Sequence, residues 1–589
     1  MTDISRCDAA DLPERDSIHL EGTRKQALDV GRNRLLVTGA VLVLVYLVIA
    51  GRLVDVTVLE TPSDARIAAR EPLRDATGPQ ATPVAGRANI VDRNGVVLAA
   101  SLPTVSLYAN PREVLDPKDT AAKIAAVLPD LDRERLLARL QAGGAFAWLR
   151  RNLTPKQQYD IHRLGLPGIH FQRANRRVYP HGATAGHVLG LTDIDGHGIA
   201  GIERTFDKRL SDAPEPLALS IDLRVQSILQ EELGRAMQEF SAKGAAGVVM
   251  DVGSGEVMGM MSLPLFDPNA PDAADPDAVF NRATKGVYEM GSTFKVFTTA
   301  MALDTATVSP NGGYDASKPI KISRFQIDDY HGKHRWLSVT EILIYSSNIG
   351  AAKMALDVGG KTQQAYLEKL GMLRTLPLEL PEVGTPLKPA VWRDINVMTI
   401  GYGHGIAVTP LHMAAGMSAV VNGGIYHAPT VIKRDPQARI VGTQVFTPET
   451  SAAMRRMLRE VVTSGTGGNA ALAEYRIGGK TGTADKLSKS GGYQTNARIS
   501  SFIAAFPIEA PRYVVLVMLD EPKGNRQTQG YATGGWVAAP AAGRVMLRVG
   551  ALDGIPPEVG DKPQPKKNPL LVNAAHQPAP PREPNRAPQ

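Results

Sequence analysis

Cysteine is almost absent from this chain of 589 residues, whose one cysteine is Cys7. One cysteine cannot form an internal disulfide, so no disulfide framework is expected and the residue carries no information about compartment. Aromatic residues make up only 5%, and the basic residues are dispersed among acidic ones rather than interleaved with aromatic residues in a stripe. The formal charge of +7 therefore does not indicate a nucleic-acid-binding surface, and no nucleic-acid partner is expected.

Long apolar runs are equally scarce, and the one clear example is the uncharged stretch from Leu35 to Gly51. At about 1.5 Å per residue it reaches roughly 26 Å, near the lower limit for crossing a bilayer. A basic cluster precedes it, formed by Arg24, Lys25, Arg32 and Arg34. The positive-inside rule then predicts a cytoplasmic segment over 1–34 and a single transmembrane helix over 35–55 in the inner (plasma) membrane, with the rest periplasmic or external. A cleaved signal peptide is the alternative.

Ordinary apolar (43%) and charged (21%) shares indicate that most of the chain is folded, and its length predicts more than one domain. Residues 56–213 change pattern often, with strand-like pieces at 88–91 and 97–100 around the turn signal Asn94-Gly95 and helical stretches at 121–142 and 156–164. We predict an irregular α/β pedestal domain for this segment, of the dimerisation type, and we call residues 56–213 the pedestal.

Residues 214–551 have strand patterns at both ends and helical patterns between them. A hairpin is predicted at 246–261 around Gly253-Ser254-Gly255, and late strands are predicted at 476–483, 499–506 and 513–520. Early strands, inserted helices and late strands are typical of an antiparallel sheet covered by helices, an α+β arrangement. Residues 552–589 are rich in proline and lack apolar periodicity, so we predict a disordered tail.

A possible nucleophile stands in the segment Tyr288-Glu-Met-Gly-Ser292-Thr-Phe-Lys295. Three residues apart at a helix start, Ser292 and Lys295 share a helix face. A serine hydroxyl needs an adjacent base to attack a carbonyl, and a lysine desolvated among apolar neighbours supplies one. The spacing alone is weak evidence, because a capping serine followed by a surface lysine has the same pattern.

Two further short patterns follow the first in chain order. Ser346-Ser347-Asn348 comes after the amphipathic piece 338–345 and is equally typical of a helix cap. Lys480-Thr481-Gly482-Thr483 lies in a strand whose glycines leave its backbone open to close approach by another chain. Its structural alternative is a glycine-weakened edge strand.

Together the three patterns, S-x-x-K, then S-x-N, then K-T-G-T, resemble the signature of the penicillin-binding proteins. From about residue 35 to 550 the chain resembles the class B members, the monofunctional peptidoglycan D,D-transpeptidases. The resemblance includes Gly86-Arg-Ala-Asn-Ile-Val-Asp-Arg-Asn-Gly at the pedestal start and Gly198-Ile-Ala-Gly-Ile-Glu-Arg-Thr-Phe-Asp at its end. The segment Gly401-Tyr-Gly-His-Gly-Ile-Ala-Val-Thr-Pro is similar to the septal cell-division type. Met290 departs from the family, in which many relatives carry proline there.

The resemblance implies a role for each matched residue. Ser292 would attack the penultimate D-alanine of a stem pentapeptide, and Lys295 would accept the serine proton. Ser346 and Lys480 would relay a proton to the leaving amine, while Asn348 would hold a substrate amide. The substrate carboxylate would lie against Thr481, Thr483 and Lys480, beside Gly482, and the N–H groups of Ser292 and Thr483 would bind the oxyanion. No cofactor or metal is expected.

The resemblance also implies partners. These are stem peptides ending in D-Ala-D-Ala, the lipid bilayer, a membrane glycan polymerase and other division proteins, and β-lactams as inhibitors. Four alternatives stay open: an elongation-type transpeptidase, a D,D-carboxypeptidase, a serine β-lactamase or penicillin receptor, and a non-catalytic division scaffold. The chain lacks an E-x-x-L-N loop, which disfavours an efficient β-lactamase.

Overall fold

The computed structural model describes nine residues between 36 and 50, then residues 86–322, 325–488 and 492–557. The chain divides into two compact units, 1–82 and 83–589, and the nine described residues of the first unit are helical. Among the described residues no helix is both long and apolar enough to cross a membrane. Most of the predicted span at 35–55, all of segment 1–34 and residues 558–589 of the predicted tail lie outside the described residues.

The described part of the pedestal is built on the long strand β2. Strand β2 pairs antiparallel with β1, β3 and β4, and β5 pairs in parallel with β1. The strands of the pedestal are β1 (Ile90–Val91), β2 (Val97–Ala109), β3 (Ala147–Leu153) and β4 (Ile169–Val178), and β5 (Leu217–Ala218) joins the same sheet from the following block. The helices are α1 (Pro117–Val127), α2 (Arg133–Leu140), α3 (Pro155–His162), α4 (Gly186–Leu189), α5 (Gly201–Thr205) and α6 (Asp207–Asp212).

Local turn chemistry explains the first hairpin of the pedestal. Gly95 has φ +86°, and the side chain of Asp92 accepts the N–H groups of Asn94 (2.7 Å) and Val96 (2.8 Å). Glycine adopts a positive φ without a Cβ clash, and aspartate commonly bonds the backbone two residues on. The turn predicted from Asn94-Gly95 is therefore confirmed.

The continuous helical stretch predicted at 121–142 is wrong. Helix α1 ends at Val127, and α2 begins only at Arg133, where the side chain of Asp132 accepts the Arg135 N–H at 2.7 Å. Pro129 lies in the break. Proline has no N–H to donate and disfavours helical backbone in the residue before it, so one amphipathic pattern becomes two helices.

The two segments at the ends of the pedestal meet in a buried ion-pair cluster. Arg87 donates to Glu203 at 2.6 Å and to Asp207 at 2.7 Å, and Arg177 donates to Glu203 at 2.7 Å. Glu203 has no exposed surface. An unpaired buried carboxylate is costly, so removing the two arginines would leave Glu203 as a destabilising buried charge.

The larger block holds the remaining elements. Its helices are α7 (Leu223–Glu239), α8 (Pro276–Val279), α9 (Lys295–Asp304), α10 (Val339–Ile344), α11 (Asn348–Val358), α12 (Gly360–Lys369), α13 (Asp394–Gly401), α14 (Pro410–Val421), α15 (Pro448–Ser464) and α16 (Gly534–Leu552). Its strands are β6 (Gly244–Asp251), β7 (Val257–Leu263), β8 (Gly313–Asp315), β9 (Ile320–Ile322), β10 (Phe325–Ile327), β11 (Trp336–Ser338), β12 (Ile425–Tyr426), β13 (Thr443–Gln444), β14 (Gly478–Leu487), β15 (Tyr493–Phe506) and β16 (Tyr513–Asp520).

The central sheet of this block has the order β14-β15-β16-β6-β7, with every neighbouring pair antiparallel. The predicted hairpin and all three late strands are thus confirmed, and so is a mixed helix and sheet fold with an antiparallel sheet. Strand β16 is apolar from Val514 to Leu519. Val515 and Val517 face one core, whereas Val514 and Leu516 face the other. Helices cover both faces, which is why this strand lacks the usual alternation of polar and apolar residues.

Candidate active site

The Ser292 hydroxyl lies at a convergence of three segments. A 3-10 turn over Gly291–Phe294 carries it and leads directly into α9. Gly291 has φ +55°, and a Cβ there would lie 2.5 Å from the Thr483 carbonyl oxygen. A Cβ at Gly403 would lie 2.0 Å from the Gly291 carbonyl oxygen. Only glycines allow the serine turn, β14 and the 401–405 segment to approach this closely.

Lys295 is fully buried and donates into the site from the first turn of α9. Its Nζ lies 3.1 Å from Ser292 Oγ, 2.5 Å from the Ser346 carbonyl oxygen and 2.7 Å from Asn348 Oδ1. Exposure of the side chain is 0%. The residue is therefore not the surface lysine that the structural alternative required.

The Ser346 hydroxyl lies between two lysines. Its Oγ is 3.2 Å from Lys295 Nζ and 3.0 Å from Lys480 Nζ. Ser346 has φ +58°, a left-handed conformation uncommon for residues other than glycine, and one that functional sites often contain. Its neighbour Ser347 does cap α11, accepting the Gly350 N–H at 3.0 Å. The capping interpretation of the second pattern thus holds for Ser347, while Ser346 and Asn348 contact the lysines.

Burial controls the proton affinities of both lysines. It lowers the pKa of Lys295 well below its ordinary value, and the charge of Lys480 lowers that pKa further, while the charge of Asp329 raises it. Burial lowers the pKa of Lys480 to about 7. Desolvation penalises the charged form of an amine, so burial favours the neutral form of both lysines.

The third pattern lies on β14, the edge strand of the central sheet. Lys480 has no exposed surface, and Thr481 shares a hydrogen bond of 2.8 Å with Thr466. Thr483 Oγ1 accepts the Gly534 N–H at 3.1 Å. Strand β15 covers one side of β14, and no strand in the described ranges pairs with the other side. That open edge lies beside the serine turn and can accept an extended peptide.

One acidic residue at the site was not predicted. The carboxylate of Asp329 accepts the Ser347 hydroxyl at 2.7 Å and the N–H groups of Asn348 (2.5 Å) and Ile349 (3.0 Å). The carbonyl oxygen of the preceding Asp328 accepts Asn348 Nδ2 at 2.9 Å. In the sequence the only signal is an acidic pair before an amphipathic helix, which is common in loops.

A second cluster beside the serine turn was also missed. Glu289 is 5% exposed and accepts the Gly405 N–H at 2.8 Å and the Tyr493 hydroxyl at 3.0 Å. Burial raises the pKa of Glu289, and the charge of Asp485 adds to the increase. The His404 ring contacts the Tyr493 ring at 6.3 Å between centroids, and burial lowers the pKa of this imidazole. The 401–405 segment, used above only for subtype, is therefore part of the site.

Comparison with known proteins gives a consistent result. Residues 245–547 match the penicillin-binding protein transpeptidase domain, and residues 82–214 match the penicillin-binding protein dimerisation domain. The chain is 42% identical over 481 residues to the probable peptidoglycan D,D-transpeptidase FtsI of Caulobacter vibrioides, covering 80% of this chain and 82% of that protein. It is 32% identical over 513 residues to the FtsI of Escherichia coli K12, covering 81% and 86%.

Solved structures agree in fold. Penicillin-binding protein 3 of Mycobacterium tuberculosis, complexed with aztreonam, matches with a TM-score of 0.64 at 23% identity, covering 81% of this chain and 98% of that one. The transpeptidase domain of Burkholderia pseudomallei penicillin-binding protein 3 matches with a TM-score of 0.52 at 32% identity, covering 58% and 98%. The first likeness, at this low identity, concerns the fold alone.

Proposed function

The chain belongs to the class B penicillin-binding proteins, and we propose that it cross-links peptidoglycan stem peptides as a septal D,D-transpeptidase with Ser292 as nucleophile. The observation that carries this proposal is the buried amine of Lys295, 3.1 Å from Ser292 Oγ, with Lys480 on the far side of Ser346. A buried amine of lowered pKa next to a serine hydroxyl is the arrangement that activates a serine for acyl transfer.

Acylation starts with proton transfer from Ser292 to neutral Lys295. The serine oxygen forms a bond to the carbonyl carbon of the penultimate D-alanine, and the carbonyl electron pair moves onto its oxygen. The backbone N–H groups of Ser292 and Thr483 stabilise that oxyanion, and the contact between Gly291 and Thr483 supports their close spacing. Donors already aimed at developing charge need no reorganisation during the reaction.

Departure of the terminal D-alanine requires a proton on its nitrogen. Ser346 Oγ is within 3.2 Å of both lysine amines and provides a route for that proton from Lys295 or Lys480. The C–N bond breaks, the carbonyl forms again, and an ester joins the peptide to Ser292. The amine of a neighbouring stem then attacks the ester, and its proton replaces the one that the serine lost.

Substrate binding uses side chains that still have hydrogen-bond donors or acceptors available. Asn348 already accepts from Lys295 and donates to the Asp328 carbonyl, but its side chain retains one N–H and one lone pair for a substrate amide. The hydroxyls of Thr481 and Thr483 and the Lys480 amine together suit a terminal carboxylate. The donor peptide would lie along the open edge of β14.

Activation of water for β-lactam hydrolysis is not supported by the carboxylate three residues before the serine. Both oxygens of Glu289 accept protein hydrogen bonds, one from Gly405 and one from Tyr493. These two bonds hold the Glu289 carboxylate toward the 401–405 segment and Tyr493. What disfavours an efficient β-lactamase is the absence of an E-x-x-L-N loop from the sequence.

The cellular setting belongs to the same proposal. The basic cluster before Leu35 supports an uncleaved inner-membrane anchor with a cytoplasmic amino terminus, and the FtsI relatives support a place at the septum beside a glycan polymerase and other division proteins. A reporter fused at residue 20 should be cytoplasmic and one at residue 560 external. A mature protein that begins near Gly51 would reveal a cleaved signal instead.

Labelling with a fluorescent penicillin tests class and nucleophile together. Intact-protein mass should increase by one penicillin, and peptide mapping should place the ester on Ser292. A second reaction with a stem pentapeptide and an acceptor amine should yield the amide product. Labelling that survives in Ser292→Ala would refute the nucleophile assignment, and release of free tetrapeptide in place of the amide would indicate a carboxypeptidase.

A further inference from the structure

The start of α11 is held by a residue from a distant loop. Asp329, about twenty positions earlier in the chain, bonds the N–H groups of Asn348 and Ile349 as well as the Ser347 hydroxyl. The first N–H groups of a helix lack partners within the helix, and a carboxylate there also interacts favourably with the helix dipole. Asp329 therefore fixes where α11 begins.

The position of α11 determines two contacts of the general base. Lys295 Nζ bonds the Ser346 carbonyl oxygen at 2.5 Å and Asn348 Oδ1 at 2.7 Å, both from the residues that lead into α11. Ser346 is held with φ +58°, and such a conformation persists only where the surroundings enforce it. The three residues after Ser346 each make a hydrogen bond to Asp329, and these bonds hold the backbone in this conformation.

We propose that Asp329 is a positioning residue for acyl transfer, which holds Ser346 and Asn348 against Lys295 and presents a negative charge to the two-lysine site. It acts through its bonds to the start of α11. This inference rests on the proposed function, since it concerns the same serine chemistry. Asp329 belongs to none of the three sequence patterns.

The charge of Asp329 gives the proposal a distinct signature. Lys295 faces the positive charge of Lys480 and the negative charge of Asp329, and it also influences the pKa of His404. Loss of the carboxylate charge lowers the pKa of Lys295 further. Because neutral Lys295 is the base, the acidic limb of the acylation profile should then move to lower pH.

The test uses three variants of the full-length protein. Asp329→Ala removes the bonds and the charge. Asp329→Asn keeps the oxygen that accepts the two backbone N–H groups, removes the charge, and replaces the oxygen that accepts the Ser347 hydroxyl with an amide nitrogen. Asp116→Ala is the matched control, because Asp116 caps α1 in the pedestal through two N–H groups at 2.9 and 3.1 Å. Second-order acylation by a fluorescent penicillin is measured from pH 5 to 9, together with the melting temperature.

The expected results separate positioning from stability. Asp329→Ala should acylate about 10²-fold more slowly, as for a misplacement of about 1 Å. Asp329→Asn should retain more activity, with its acidic limb at lower pH than in the wild type. Asp116→Ala should have a lower melting temperature but an unchanged acylation rate.

Two outcomes would overturn the proposal. One is a folded Asp329→Ala protein with the wild-type acylation rate, and the other is an Asp329→Asn profile whose acidic limb does not move. If Asp329→Ala does not fold, the Asp329→Asn profile alone decides. A wild-type protein that penicillin does not label would refute the proposed function itself and is thereby distinguished from failure of this inference.

Discussion

Lys295 and Lys480 have no exposed surface and lie on opposite sides of one serine hydroxyl. Two amines held this close cannot both keep a full positive charge at low cost. Lys295 bonds the Ser292 hydroxyl directly, and burial lowers its pKa, so in the proposed reaction it is the base. Lys480 remains available to pair with a carboxylate and to return a proton.

Replacing Lys295 with arginine should abolish acylation although the positive charge is kept. A guanidinium group does not lose its proton at accessible pH, so it cannot accept the proton of Ser292. General-base catalysis typically contributes about 10² to 10⁴-fold, and the acylation rate should fall by that amount. Stopped-flow labelling with a fluorescent penicillin measures the acylation rate. The control is Lys353→Arg, which lies outside the site and should react like the wild type. Near-normal acylation in Lys295→Arg would show that another group acts as the base.

Acylation should also lose efficiency as the pH rises through about 7, the value to which burial lowers the pKa of Lys480. Above that pH Lys480 becomes neutral and binds a penicillin carboxylate less well. In Lys480→Arg the rate should be lower throughout but should not fall between about pH 7 and 9, because arginine stays protonated. The measurement is the second-order rate against pH. An unchanged alkaline limb in the variant would show that another group titrates.

At the scale of elements, the site is assembled from pieces that hold one another. The serine turn packs on β14 through Gly291 and on the 401–405 segment through Gly403. Glu289 joins the same turn to the 401–405 segment and to the start of β15 through two hydrogen bonds. The start of α11 is held separately, by Asp329. Each contact crosses between elements, so a change in one loop should alter the whole site.

Tyr493→Phe isolates one of these contacts, because it removes the hydroxyl that Glu289 accepts at 3.0 Å and keeps the ring. A buried acceptor left unsatisfied costs about 1–3 kcal/mol, so the free energy of unfolding should decrease. That bond stabilises the carboxylate form, so the loss should be larger at pH 8 than at pH 5, where Glu289 with its raised pKa is more protonated. Chemical denaturation at both pH values measures it. The control is Tyr402→Phe. An equal decrease in the free energy of unfolding of Tyr493→Phe at pH 5 and pH 8 would contradict this account.

At the scale of the whole molecule, the pedestal is attached to the catalytic block by more than the chain. Strand β1 pairs with β5, and Asp92 accepts the Leu223 N–H at 3.2 Å while Asn94 donates to Asp222 at 3.0 Å. These bonds join the first hairpin of the pedestal to the start of α7. The catalytic block is therefore bonded directly to the module that precedes it.

Depletion of the protein should block division while growth in length continues, giving filaments without completed septa. The reason is the likeness to the FtsI relatives and to the septal type in the 401–410 segment. Microscopy of a depletion strain measures it, and expression of Ser292→Ala separates catalysis from scaffolding, because a scaffold would still restore division. Round, widening cells that still form septa would indicate the elongation type instead.

The sequence alone was sufficient for features determined by local spacing. Asn94-Gly95 and Gly253-Ser254-Gly255 predicted their turns because a positive φ and side-chain bonds to nearby N–H groups act over a few residues. The three short patterns named side chains that the fold brings together around Ser292, and their reactive roles stay a proposal. The prediction of one helix over 121–142 was wrong, because a proline divides this amphipathic pattern into two helices.

Tertiary structure alone decided how those side chains meet and how they titrate. Ser346 and Lys480 are 134 positions apart, and their 3.0 Å contact depends on the packing of α11 beside an edge strand. The pKa values depend on burial and on charges from other segments, such as Asp329, which no spacing rule relates to Lys295. Hydrogen bonds and desolvation act over a few ångströms in space. Distance along the chain therefore predicts them only where the two residues lie within the same turn, as Ser292 and Lys295 do.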